Sequence, residues 1–194
     1  MSGTRARLFF GASLPDASAR ALHAALASDF EAAGWRLSDP RDLHVTLLFL
    51  GSVPVERIAE LADLARGALA GARALEVRLE TLGAFPSIDA PRVAWAGGAA
   101  LSAATFDLHR GLHAAALGLG LARAPRSTVE SWTAHVTFAR PAKGRRGRWP
   151  RDLRFVPLAP FRVEEIALFE SSTDGAQGSR YRALERIPLS RPPG

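Results

Sequence analysis

The sequence predicts an α+β fold of two pseudo-symmetric lobes, each an antiparallel sheet with helices on its outer face, with an active-site groove between them. Three observations carry this expectation. The run LHVTLLFLG at 43–51 has the alternation of a strand, with His44 and Thr46 on one face and Val45 and Leu47 on the other. The pattern returns in AHVTFAR at 134–140, where His135 and Thr137 repeat the polar spacing and Val136 and Phe138 the apolar one. The order of elements is also similar in the two halves: helix, polar approach, HVT strand, connection, further strands. The chain, 1–194, therefore reads as a single bilobal domain of two pseudo-repeated halves, each carrying one HVT motif.

Taken in order, RLFFGASL at 7–14 is a first strand, and Pro15-Asp16 opens a helix whose Leu22, Leu26 and Phe30 recur at helical spacing until Gly34. Residues 35–42 form a turn-rich approach to the first HVT strand. After Gly51, Pro54 begins a second helix with Ile58, Leu61, Leu64 and Leu69 on its apolar side and Gly71 near its stop. Strands are expected at 75–82 and 92–96, separated by GAFPSIDAP, a loop with two prolines. A third helix fits 101–119, followed by a polar approach and the second HVT strand. Two further strands are expected at 161–170 and 181–189, with SSTDGAQGS between them as a surface loop. The interval between the HVT motifs is too long for a hairpin, so the two strands meet through tertiary structure.

A composition of 47% hydrophobic and 23% charged residues is that of a globular chain able to bury a core. With no cysteine there is no disulfide framework, thiolate metal site or cysteine nucleophile. The apolar run after the basic N-terminal residues is too short for a signal sequence, and no run approaches the ~18 residues of a membrane-spanning helix, so a cytoplasmic protein is expected. The net charge of +6 favours an anionic partner, nucleic acid being the commonest. Lys143 is the only lysine among many arginines in an alanine-rich chain, and composition bias alone accounts for part of that charge. Arginine nonetheless matches phosphate geometry through its planar fork.

Two imidazoles on opposite sides of a cleft suit in-line displacement at phosphorus. One takes a proton from the attacking oxygen while the other protonates the leaving oxygen. An unperturbed pKa of about 6.5 lets one ring be neutral and the other charged near neutral pH, and the chemistry requires no metal or other cofactor. Threonine hydroxyls on the same face are placed to donate to the non-bridging phosphate oxygens.

The two HVT motifs, the opening RLFFGASLP, the segment LHVTLLFLGSVP, the central LGAFPSIDAPRVAWAGG and the closing YRALERIPL together resemble the two-histidine (2H) phosphoesterase superfamily, named for its HxTx motifs. The resemblance is to its RNA 2′,3′-cyclic phosphodiesterase branch, also called 2′-5′ RNA ligase, and covers nearly the whole chain. It implies a bilobal fold and metal-free hydrolysis of RNA 2′,3′-cyclic phosphate ends to 2′-phosphomonoesters, with reversible 2′-5′ joining. The partners expected are RNA ends or small cyclic-phosphate nucleotides, with no membrane and no obligate protein partner, and the chain is expected to be a monomer. By the same resemblance His44 and His135 are the acid–base pair; pseudo-symmetry makes their environments look alike, so the sequence does not divide the two roles, and His44 is taken as the ring nearer the leaving oxygen without support from the resemblance. Thr46 and Thr137 are the phosphate-binding hydroxyls, Arg140 the arginine that contacts the phosphate, and Phe49 the aromatic that stacks on the terminal base. An offset of five is odd, so a regular strand would turn Phe49 and Arg140 away from their histidines; a bulge or an early strand end is needed. The chain also departs from the family in having Ala134 where proline commonly precedes the second histidine.

Other signals read more plainly. His109 and His113 lie four apart on a predicted helix, but LHRGLHAAA lacks the glutamate of a zinc-protease helix. The basic run KGRRGRWPRDLR at 143–154 is either an RNA-guiding loop or a solvated linker, and its Trp149 either a stacking residue or a loop anchor. Gly175 to Arg180 follows no phosphate-loop pattern. Two readings remain beside the RNA-end hydrolase: a phosphodiesterase for another small cyclic phosphate, and a non-catalytic basic RNA-binding module.

Overall fold

A computed structural model describes residues 4–121, 132–171 and 179–190. Among the described residues, ten strands and three α-helices follow the order β1 (Arg5–Ser13), α1 (Asp16–Ala32), β2 (Trp35–Leu37), β3 (His44–Pro54), α2 (Ile58–Ala68), β4 (Leu75–Val77), β5 (Thr81–Phe85), β6 (Val93–Gly97), α3 (Ala99–Gly118), β7 (His135–Pro141), β8 (Phe161–Val163), β9 (Glu165–Ser171) and β10 (Tyr181–Pro188). Eight of the strands form one antiparallel sheet ordered β10-β9-β1-β3-β7-β6-β5, with β2 on β7; β4 and β8 pair separately.

The two expected lobes are the two halves of this sheet. They meet where β3 pairs with β7 at Val45 and Val136. Farther along β7, its edge is taken by β2, through Trp35–Pro141, Arg36–Arg140 and Leu37–Ala139. One face of the sheet is packed by the helices. Phe30 of α1 meets Trp35 and Phe138 edge-on, and Leu8, Phe10, Val45, Leu61, Leu101, Leu112 and Val136 are buried in the common core. The other face carries the HVT polar groups. No described helix is long and apolar enough to cross a membrane.

Helical spacing placed all three helices within a few residues of where they lie. The strands differ more. The expected strand at 75–82 is two: β4 leaves to pair with β8, and β5 enters the main sheet after a break at which the Glu80 N–H bonds to the Gly97 carbonyl. The expected strand at 161–170 likewise divides into β8 and β9 at Glu164, whose carbonyl accepts from the Leu189 N–H. Apolar alternation continues across both breaks, so local periodicity cannot mark a change of sheet. The turn-rich approach at 35–42 contains β2 and a 3₁₀ turn, Pro40–Asp42. Pro54 ends β3 rather than opening the helix, which starts at Ile58 after the 3₁₀ turn Val55–Arg57. The surface loop expected in SSTDGAQGS falls mostly on residues 172–178, and the polar approach before the second HVT strand on 122–131, outside the described residues.

Candidate active site

Because Val45 pairs antiparallel with Val136, His44 stands level with Thr137 and Thr46 with His135. Paired residues of an antiparallel ladder share a face, so both histidines and both threonines line the same surface while the two valines face the core. Two residues far apart in sequence thereby become diagonal neighbours.

The parity problem at Phe49 and Arg140 is resolved by a bulge in each HVT strand. Against β1, Thr46 pairs with Gly11 but Leu48 with Phe10 and Phe49 with Phe9, leaving Leu47 as the extra residue. Against β6, Thr137 pairs with Trp95 but Ala139 with Ala94, leaving Phe138 extra. The insertion falls at the same place in both motifs and flips the alternation, so Phe49 and Arg140 return to the histidine face, both exposed. Since β3 and β7 are antiparallel, the two residues lie toward opposite ends of the groove. In β3 the bulge is pinned from behind: the His109 Nδ1–H donates to the Leu47 carbonyl at 2.7 Å.

Each catalytic candidate ring is held by the backbone two residues before it. His44 Nδ1 lies 2.7 Å from the Asp42 carbonyl and His135 Nδ1 lies 2.8 Å from that of Thr133. A carbonyl only accepts, so Nδ1 carries the proton in both neutral rings and Nε2 is left for proton exchange. Aromatic walls surround them: Tyr181 and Phe9 at 4.7 and 4.8 Å from the His44 ring, Phe85 and Trp95 at 4.9 and 6.3 Å from that of His135. Trp95 lies over Gly83 on β5, whose missing side chain leaves room for the indole. Burial lowers both imidazole pKa values below the usual 6.5, and the positive charge of Arg140 lowers each further. His44 also feels the charge of His135, so protonating one ring opposes protonating the other.

Beside His44 and Thr137 opens a cavity of about 190 Å³ whose wall includes Arg36, Asp42, Arg140 and Arg180. Asp42 is buried and joins three parts of the site. Its carbonyl holds His44, while Oδ1 accepts from the Ser179 hydroxyl and, at 2.9 Å, from the Arg180 N–H. Sequence reasoning missed Arg36, Asp42, Arg180, Phe9 and Trp95. Alternation alone put Phe9 and Trp95 on a face, but only cross-strand register says that the face is that of the histidines.

The remaining candidates lie elsewhere. His109 is buried, stacked on Trp132 with ring centroids 4.2 Å apart, and engaged with Leu47. No group of three or more metal-ligating side chains is assembled among the described residues. The basic run at 143–154 is anchored near the end of α1, where the Trp35 indole donates to the Arg148 carbonyl and the Arg148 N–H to that of Ala33. Trp149 packs edge-on against Phe30 and is a loop anchor. The non-proline residue before the second histidine is also used: the Ala134 N–H donates to Ser102 of α3 at 3.2 Å, a bond proline has no hydrogen to make.

Residues 13–95 match the family model described as LigT-like phosphoesterase. The RNA 2′,3′-cyclic phosphodiesterase of Thermus thermophilus is 31% identical over 186 residues, covering 94% of this chain and 90% of that protein. The Geobacillus stearothermophilus protein of the same name is 32% identical over 150 residues, covering 76% of this chain, and the match spans only 46% of that longer relative. Among solved structures, E. coli LigT complexed with 3′-AMP superposes with a TM-score of 0.76 at 25% identity, over 96% of this chain and 99% of that one. A crystal structure of a Thermus thermophilus protein gives 0.75 at 29% identity, over 94% and 97%.

Proposed function

The chain belongs to the LigT-like phosphoesterase family, and we propose that it hydrolyses RNA 2′,3′-cyclic phosphate ends to 2′-phosphomonoesters through His44 and His135. The observation that carries this reading is the register Val45–Val136, which sets two imidazoles on one face, with both Nε2 atoms unengaged among the described residues. In the reaction a water oxygen forms a bond to phosphorus as the bond to O3′ breaks. The neutral ring removes the water proton at Nε2 while the charged ring gives its Nε2 proton to O3′, which leaves as a hydroxyl. Thr46 and Thr137 donate to the non-bridging oxygens, and Arg140 offsets the negative charge on the phosphoryl group. Phe49 offers an exposed ring for a base. With the 5′-hydroxyl of a second RNA in place of water, the same transfers form a 2′-5′ linkage, and their reversal cleaves it. A cytoplasmic monomer is the state this reading takes, since the substrate is RNA and both histidines come from one chain.

The test is single-turnover cleavage of an RNA bearing a 2′,3′-cyclic phosphate in excess EDTA. His44→Ala and His135→Ala should each lose about 10²–10⁴ in rate while retaining RNA binding. Unchanged turnover in both variants would remove the paired assignment; RNA binding with no turnover in the wild type would favour a binding module.

A further inference from the structure

The cavity beside His44 extends past the reacting position, and three arginines, Arg36, Arg140 and Arg180, line it. Arg36 is the ladder partner of Arg140, and the bulge at Phe138 puts both on the groove face. Arg180 reaches the same cavity from the start of β10, its backbone fixed by Asp42. None of the three is in an ion pair among the described residues, whereas neighbouring Arg41, Arg182 and Arg186 are held by Asp39, Glu170 and Glu165. The acidic groups in the wall are engaged. Both oxygens of Asp39 accept from Arg41, which lowers its pKa to about 2, and Asp42 Oδ1 is turned to Ser179 and Arg180.

We propose that Arg36 and Arg180 form a second anion subsite, for a phosphate on O5′ of the nucleoside whose 2′,3′-cyclic phosphate is cleaved. This rests on the function proposed above. One phosphoryl group between the histidines is served by Thr46, Thr137 and Arg140. Arg140 lies two ladder steps beyond Thr137, about 7 Å, and Arg36 is level with it on the outer strand. That is the reach of one ribose from the cyclic end. Because Asp42 fixes both His44 and the Arg180 backbone, the spacing between the reacting centre and the subsite is set by a buried residue rather than by a free loop. The other end of the groove carries Phe49, with the Arg7 guanidinium 5.6 Å from its ring centroid.

The phosphate on O5′ is either a terminal monoester or the internucleotide diester of a longer RNA, and three substrates separate these: a nucleoside 2′,3′-cyclic phosphate, its 5′-phosphorylated form, and a dinucleotide with a cyclic end. The last two should exceed the first in kcat/KM by about 10–100-fold, as expected for charge-assisted hydrogen bonds. Arg36→Met and Arg180→Met should each cut that ratio several-fold, and the double variant bring it near one. Preference for the dinucleotide over the 5′-monophosphate assigns the subsite to RNA; the reverse assigns it to mononucleotides. Binding keeps the subsite testable if no cyclic phosphate turns over: adenosine 2′,5′-bisphosphate should bind at least 10-fold tighter than adenosine 2′-phosphate, by calorimetry, and lose that advantage in the double variant. Equal binding of the two, or variants that weaken both alike, would overturn the subsite. Absent turnover with selective bisphosphate binding would instead overturn the proposed reaction and leave the subsite standing.

Discussion

At the scale of single residues, the site is two imidazoles with the same anchor and the same dominant perturbation, burial. Each donates Nδ1–H to a carbonyl two residues back, and each is lowered first by burial and then by Arg140. The backbone bonds, and for His44 the Asp42 charge, oppose these effects, but the net direction is downward in both rings, so the optimum of kcat/KM, which reports the free enzyme, should lie on the acid side of about pH 6.5. Bound phosphate favours imidazolium, and the limbs of kcat should therefore sit at higher pH than those of kcat/KM. Replacing Arg140 with methionine takes a positive charge away from both rings. The variant should lose rate, through the phosphate contact, and also move both limbs of its kcat/KM profile to higher pH. A rate loss with the limbs unmoved would mean that Arg140 does not share an electrostatic field with the histidines.

At the scale of elements, the bulges decide what the motif presents. His44, Thr46, His135 and Thr137 were legible because a period of two survives any tertiary arrangement. Phe49 and Arg140 were legible only as a contradiction, since an odd offset needs an inserted residue, and Leu47 and Phe138 are those insertions. Arg36, Arg180 and Asp42 were not legible at all: they reach the groove through β2–β7 pairing and a contact across 138 positions, and neither leaves a local pattern. The splitting of the strands at 78–80 and Glu164 was hidden for the same reason. His109 shows how an element is held from outside itself. Its bond to the Leu47 carbonyl is buried, so His109→Leu should cost about 1–3 kcal/mol by denaturant midpoint. If the bond sets the bulge, the variant should also raise KM, because Thr46 adjoins Leu47 and Phe49 lies two residues beyond it, and His109→Gln should recover part of both. Lost stability with an unchanged KM would make His109 a packing residue only.

For the whole molecule, placing the proposed catalytic pair on a partly walled sheet face has a stability consequence that can be signed. His44, His109 and His135 all have pKa values lowered by burial, so in each case the unfolded chain binds a proton more readily than the folded one. Above about pH 6.5 the three are neutral in both states and their contribution to folding is fully present. As pH falls through the unfolded value, the unfolded state gains protons that the native state resists, and stability falls, by at most about 1.4 kcal/mol per pH unit for each histidine. Carboxylates change little in this window, so unfolding midpoints in urea should drop between pH 7.5 and 5.5, and His44→Gln or His135→Gln should flatten the drop while altering the midpoint less at pH 7.5 than at 5.5. An identical slope in wild type and variants would show that the rings are freely hydrated. A phosphate ligand must act against this loss, because an anion that raises an imidazole pKa binds more tightly where the ring is charged. Adenosine 2′-phosphate should therefore raise the midpoint more at pH 5.5 than at 7.5 in the wild type. The acid sensitivity of the fold and the affinity of the groove for phosphate are then two readings of the same proton.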